Sequence, residues 1–374
     1  MTRPVRRIAI VGGGLAGVIT GLELLKGKHA GAYDITVFER AAAPYTTLCG
    51  EGLSHTTLSR FTAFDSFPYA AETFKGAAWW FPGGLRVDVD ETCYTMARER
   101  WIPAMAEAFQ KAGGEYRTNA KVSAEDVPAL ARDYDLVIGA DGPGSQVRKH
   151  VGGAHTTMLG IQYRVEKAGY ETDRLEFYTD KRWSPEYAWV FPRGDILNVG
   201  LLADDRVTAE ENWRRLDLFM QERKVEGKVV KREAYPIGFF GDKLQRDNVL
   251  LLGDAAGLTN PVTKGGMAAV IYAAEILADL LKRGRVEAYE RAIFAHPITD
   301  PSFRRAVEII HRWSNEDFEA YTRFAPKVLT VDGKVATKKR YFGPLVKTFL
   351  RYPHRIRDFE ALARAFGVSR VYSW

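Results

Sequence analysis

Three groups of residues in this chain have the types and spacing to do chemistry. Gly12, Gly14 and Gly17 form a G-x-G-x-x-G frame, and Glu39 follows 22 residues after the last glycine. In such a frame the first glycine permits a tight turn, the second lets backbone approach a pyrophosphate, and the third allows close helix–strand packing. A carboxylate about 20 residues further on accepts ribose hydroxyls. It disfavours a 2′-phosphate, so FAD or NAD is expected rather than NADP. The second group is Asp141 and Asp254, in "VIGADGPGSQVR" and "VLLLGDAAG". Each ends a short apolar run, where open α/β sheets bind ligands, although either alone reads equally well as a helix N-cap. The third is Cys49 in "TTLCGEGLS". A thiol beside two turn-permitting glycines is either a reactive group or a small apolar filler.

These residues need elements to hold them. "IAIV" (8–11) reads as a buried parallel strand, "LAGVITGLELL" as the helix after it, and "DITVF" (34–38) as a second strand ending on Glu39. The helix N-terminus offers unpaired N–H groups to phosphate charge. Two later strands carry Asp141 and Asp254, and a helix starts near Gly265-Gly266. No second G-x-G-x-x-G is present for a nicotinamide, so an external electron donor is expected but not identified.

Composition narrows the rest. The chain has 374 residues, 46% of them apolar, which suits a large globular core of two or three domains. Two cysteines without a C-x-x-C, and seven histidines without metal-ligand spacing, argue against a disulfide framework and against a metal enzyme. A strand begins almost at once, with no signal-like apolar segment, and no run approaches the roughly 20 residues of a membrane span. A cytoplasmic protein is expected, with peripheral membrane contact left open. The net charge of +6 is uneven: residues 301–374 hold 15 Lys+Arg against 7 Asp+Glu, leaving the remainder near −2. This tail reads as amphipathic helix, either packed with its basic face in water or drawn to an anionic membrane surface. Nothing supports nucleic-acid binding.

The three flavin-type stretches together resemble the p-hydroxybenzoate hydroxylase-like flavoprotein superfamily, over about residues 5–300. The resemblance implies that Gly12, Gly14, Leu15, Ala16, Gly17, Glu39 and Arg40 hold the ADP half of FAD. It places Asp141 and Gly142 near the pyrophosphate, and Gly253 and Asp254 near the phosphates and ribityl chain. Gly265, Gly266 and Met267 would open a helix towards the flavin N1–C2=O edge, where negative charge on the reduced ring is stabilised. An arginine opening the helix before the third strand is Arg98, with Arg100 as the other reading, and Val122 joins the set after that strand.

Runs at 76–90, 158–167, 174–180 and 187–203 alternate apolar and polar residues, which predicts an antiparallel sheet with one solvated face. Within the last, Tyr187, Trp189 and Phe191 share one face of a strand, followed by Pro192 and Gly200. This pattern resembles the Y-x-W-x-F-P…G-x-G signature of the geranylgeranyl reductase family. Three aromatics in a row make a flat wall suited to an isoprenoid chain, and equally a sheet core. Leu202 stands where the pattern has a second glycine. "CGEGLS" also matches the family, placing Cys49 and Gly50 over the flavin ring. In "NPVTKGGM", Lys264 and Gly265 replace an expected Gly-Glu, and the lysine reads either as a charge beside the flavin N1 edge that favours the anionic reduced ring or as a solvated side chain on the helix cap.

The expected fold is therefore α/β. A Rossmann-type FAD domain is built from 1–75, 96–157 and 246–300, and a substrate domain from 76–95 and 158–245, with a basic helical region at 301–374. The resemblance implies a reductase saturating double bonds of a hydrophobic prenyl-lipid substrate, with Cys49 or Tyr187 as proton donor. A flavin monooxygenase and a non-catalytic FAD-binding protein are the alternatives.

Overall fold

The computed structural model describes residues 5–26, 32–44, 49–323, 328–330 and 355–372. Residues 46–48 of the "TTLCGEGLS" stretch, and 331–354 of the basic tail, lie outside the described residues.

The first strand, Arg7–Val11, is buried after its first residue because it is flanked on both sides. It pairs in parallel with Asp34–Phe38 and with Leu136–Gly139. The six-stranded sheet continues through Val249–Leu251 to Gln245–Arg246 on one edge and ends at Glu115–Arg117 on the other. The helices Leu15–Leu25, Arg98–Lys111 and Met267–Lys282 cover it and share its core, with Trp101, Met105 and Phe109 fully shielded. This is the Rossmann-type arrangement expected from the glycine frame.

The second sheet has eight strands, in the order Val229–Phe239, Thr156–Glu166, Ile196–Leu202, Ala188–Arg193, Arg174–Tyr178, Gly76–Phe81, Leu85–Asp90 and Val328–Thr330. It corrects the sequence reading in two respects. It is mixed rather than antiparallel: Arg174–Tyr178 runs parallel to Gly76–Phe81, and Val328–Thr330 parallel to Leu85–Asp90. Parallel neighbours need a long crossover, and the chain supplies one by passing through the flavin-type sheet between residues 91 and 155. Nor does the sheet have one solvated face in its centre. Ala188–Arg193 and Ile196–Leu202 are buried on both sides. One side packs Val190, Leu197, Val199 and Leu201 against Leu216 and Phe219 of the helix Ala209–Glu222. The other presents Tyr187, Trp189 and Phe191 with Phe177. The edge strand Val229–Phe239 keeps exposed residues along much of its length.

A three-stranded sheet, Gly52–Ser54, Cys93–Met96 and Ala70–Phe74, was not foreseen. It fixes the chain just after Cys49, pairing Ser54 with Cys93. Cys93 is fully buried, its thiol donates to the Glu91 carbonyl, and burial pushes that thiol far up. Its role is packing.

The described part of the tail is helical over Ser302–Arg312, Asn315–Thr322 and Ile356–Tyr372, with the edge strand Val328–Thr330 between. Phe303, Ile309, Ile310, Phe359 and Leu362 form its apolar seam. Several of its arginines pair with nearby acids: Arg305 and Arg312 with Asp358, Arg323 with Glu319, Arg355 with Asp317, and Arg364 with Asp300 just before the region. Among the described residues no helix is long and apolar enough to cross a membrane.

Candidate active site

A cavity of about 610 Å³ lies between the two large sheets, and most of the residues singled out from sequence line it. On the nucleotide-type side, Gly12 has φ +103°, and a Cβ there would fall 2.4 Å from the Ala140 carbonyl oxygen. At Gly17 a Cβ would meet the Gly12 carbonyl oxygen at 1.9 Å, so this glycine sets helix–turn packing and does not itself line the cavity. The Glu39 carboxylate accepts from the backbone N–H groups of Gly13 and Ala41, both at 2.8 Å. These bonds fix its direction at the strand end, beside Arg40 and within reach of Leu15, Ala16 and Val122 on the cavity wall.

Asp141 closes a helix entry at the cavity's edge. It lines the cavity, and its carboxylate accepts from the Ser145 hydroxyl (2.5 Å) and the Gln146 N–H (2.6 Å), closing the entry to the helix Gln146–Val151. Arg148 then donates to the carbonyls of Pro143 and Ala255, tying the Asp141–Gly142 loop to the Gly253–Ala256 turn. Asp254 accepts from Thr259 at 2.6 Å. Burial raises the carboxyls of both Asp141 and Asp254. Gly253, with φ +62°, supports that turn from behind and is not a lining residue. Arg98 is buried in the cavity wall, whereas Arg100 is exposed.

Two helices open onto this cavity. Leu15–Leu25 starts after Gly14 and Met267–Lys282 after Gly266; neither has a side chain capping its N-terminus or an acid in its first turn. Together with the glycine turn, which leaves no room for a Cβ, they form a cradle that fits a dinucleotide flavin: phosphates at one helix end, an electron-rich ring edge at the other.

The opposite wall is aromatic. Tyr187, Trp189 and Phe191 are nearly buried and line the cavity with Phe177, whose ring lies 5.0 Å from Phe191 and 5.6 Å from Tyr187. Gly200 and Pro192 do not line it. A Cβ on Gly200 would fall 2.3 Å from the Trp189 ring and 2.5 Å from the Ile161 carbonyl oxygen, so this glycine seats the indole. Pro192 accepts the Thr95 hydroxyl through its carbonyl. Leu202 does fill cavity space, as its departure from the glycine pattern implied. Gly200→Ala is expected to lower stability by about 1–3 kcal/mol through overpacking and to displace Trp189; a melting curve paired with tryptophan fluorescence checks both.

Cys49 lies on this cavity as well. Gly50 and Gly52 let its segment pass against Phe191, since a Cβ on either would fall about 3 Å from that ring (2.9 and 3.1 Å). The Glu51 N–H donates to the Cys49 sulfur at 3.2 Å, and the Asn198 side chain donates to the Gly50 carbonyl at 3.1 Å. Glu51 itself has φ +68°, and its buried carboxylate pairs with Arg193 at 2.6 Å and Arg164 at 3.4 Å. This anchor was missed in the sequence, because its partners come from two distant strands.

The start of the aromatic strand also grips the loop before the second helix. The Tyr187 hydroxyl donates to the Thr263 carbonyl at 2.7 Å, and burial holds its phenol well above the usual range. Next to it, Glu186 pairs with Lys264 at 2.7 Å; the two side chains are 1% and 3% exposed. Lys264 has φ +56°, which explains why the family pattern carries glycine at this position. A left-handed non-glycine residue costs about 1–3 kcal/mol. Lys264 is thus not the solvated side chain of a helix cap but a buried, lining residue. Among the described residues no group of His, Cys, Asp and Glu could hold a metal.

Residues 157–234, which carry the aromatic strand, match the geranylgeranyl reductase catalytic domain. The chain is 26% identical over 306 residues to a digeranylgeranylglycerophospholipid reductase of Methanosarcina acetivorans, covering 73% of this chain and 74% of that protein. In structure it is similar to a geranylgeranyl bacteriochlorophyll reductase-like protein of Thermoplasma acidophilum, with a TM-score of 0.79 and 19% identity over 95% of this chain and 99% of that one. The flavin-dependent halogenase CmlS is similar at a TM-score of 0.62 and 20% identity, covering 96% and 72%.

Proposed function

We propose that this chain is a flavoprotein of the geranylgeranyl reductase kind, which binds FAD and saturates carbon–carbon double bonds of a prenyl lipid; the match over residues 157–234 and the likeness to a digeranylgeranylglycerophospholipid reductase support this reading. The observation that carries this reading is a single cavity with two uncapped helix N-termini on one wall and Tyr187, Trp189, Phe191 and Phe177 on the other. One wall suits a dinucleotide flavin; the other offers an isoprenoid chain only apolar, aromatic contact. The chemistry that a reduced flavin would supply when held there is a hydride for one alkene carbon.

The protein's own residues then have three tasks. The glycine turn, Glu39 and the Asp141 and Asp254 loops bind and orient the cofactor. The aromatic wall and Leu202 hold the substrate and exclude water, which an unactivated alkene requires. A proton must reach the second carbon. Tyr187 is poorly suited to give it, because its hydroxyl is committed to Thr263 and burial keeps its proton on. Cys49, on the cavity wall, is the better donor.

Cys49→Ser is expected to purify with its full flavin and to slow alkene reduction about 100-fold or more, the usual scale of a lost general acid. Unchanged turnover would make Cys49 a wall residue. The functional reading is tested by adding a geranylgeranyl lipid to the dithionite-reduced protein without oxygen. Return of the yellow absorbance on adding substrate supports it, and a spectrum that stays bleached counts against it.

A further inference from the structure

Lys264 is the inner end of a chain of titratable groups that reaches solvent. Its ammonium faces one oxygen of Glu186 at 2.7 Å, and the other oxygen of Glu186 meets Nε2 of His311 at 2.9 Å. His311, on the helix Ser302–Arg312, is 44% exposed, whereas Glu186 and Lys264 are almost wholly buried. Lys264 lines the cavity, immediately before Gly265 and Gly266. The remaining charged group beside Glu186 is Lys181, which donates to the carbonyls of Pro185 and Ile310.

We propose that His311, Glu186 and Lys264 form a proton inlet that feeds the cavity from solvent during alkene reduction. This rests on the reductase reading above and adds a route to it. Saturating each double bond consumes one hydride and one proton. Lys264 yields its proton to the cavity, where Cys49 or the substrate takes it up. Protonated His311 then gives its proton to the Glu186 carboxylate, which passes a proton on to the resulting amine and is a carboxylate again, and His311 regains a proton from water. No oxidant or reductant enters these transfers.

Three observations favour a route over a simple structural tie. A buried ion pair is seldom the more stable solution when apolar residues of like size would fill the space. The lysine occupies a left-handed position that its family gives to glycine. And the pair does not end inside the protein; it continues by a bond of ordinary length to an exposed histidine. Burial also lowers the Lys264 ammonium from the usual lysine value, which eases release of its proton.

The test uses the reduced holoprotein and a geranylgeranyl lipid in anaerobic turnover. His311→Ala is expected to lower kcat about tenfold with KM unchanged, and imidazole in the medium should restore it. Glu186→Gln is expected to lower kcat about 100-fold, and imidazole should not restore it, because the break lies inside the protein. Both variants turning over like the parent, or imidazole leaving His311→Ala unrepaired, would overturn the inlet. A readout apart from turnover is the side-chain ¹⁵N resonance of Lys264 in the holoprotein. It should be protected from solvent exchange in the parent and lose that protection in Glu186→Gln; an unprotected resonance in the parent rejects the buried pair. A parent protein that reduces no alkene refutes the reductase reading instead, and the exchange measurement then judges the pair alone.

Discussion

Gly12→Ala protein is expected to fold and to purify almost colourless. The turn at residue 12 has φ +103°, and the added Cβ would fall 2.4 Å from the Ala140 carbonyl oxygen. Gly12 also donates its N–H to the Phe38 carbonyl at 2.9 Å, so the turn cannot relax without loosening the strand that carries Glu39. Strain of this kind costs about 1–3 kcal/mol, and each 1.4 kcal/mol is about tenfold in affinity. Flavin binding should therefore weaken by about 10- to 100-fold while the six-stranded sheet stays intact. The flavin-to-protein ratio, read beside circular dichroism, measures both. A variant carrying its full flavin would show that the turn is not part of the cofactor site.

The second large effect is expected at Glu51. Its carboxylate holds Arg193, Arg164 and the Asn198 amide together beneath the Cys49–Gly52 segment. Glu51→Ala leaves Arg193 with only the exposed Glu99, and Arg164 with Glu233. Breaking a buried pair by removing one partner costs about 3–5 kcal/mol; Arg164 and Arg193 keep some exposure, so about 3 kcal/mol is the reasonable expectation here. Activity should fall with stability, because the segment that presents Cys49 loses its anchor. Denaturant unfolding of the single variants and of Glu51→Ala/Arg193→Ala checks the assignment. The double variant should be more stable than the sum of the two losses predicts, whereas strict additivity would mean the two side chains do not act as a pair.

That Gly12, Gly14, Asp141, Asp254 and the aromatic row would gather at one cavity was legible in the sequence because their signals are local. The glycine frame, the apolar runs before Asp141 and Asp254, and the period-2 aromatics at 187–191 each need only a short window. The strand carrying Tyr187, Trp189 and Phe191 is also the region that matches the family's catalytic domain. What escaped depends on residues far apart in the chain. Lys264 reads either as a charge beside the flavin edge or as a solvated cap, and only the fold brings Glu186 to it. Glu51 reads as a turn residue until two strands deliver arginines. Gly200 reads as a cavity residue by its place in a signature, yet the indole of Trp189 occupies the space its side chain would need. The two parallel pairings of the large sheet follow from the chain leaving and re-entering it, which no periodicity records. Part of the tail's charge is likewise met by acids brought from elsewhere in the fold, Asp358 of a neighbouring helix and Asp300 before the first one.

The most direct test of the account is the mass of the product. Dithionite-reduced holoprotein is incubated without oxygen with a geranylgeranyl lipid, and the lipid is extracted for mass spectrometry. The account predicts a product heavier by one dihydrogen for each double bond saturated, and none when the protein is omitted. A lipid recovered at its starting mass, or one that gains an oxygen atom when air is admitted, would contradict it.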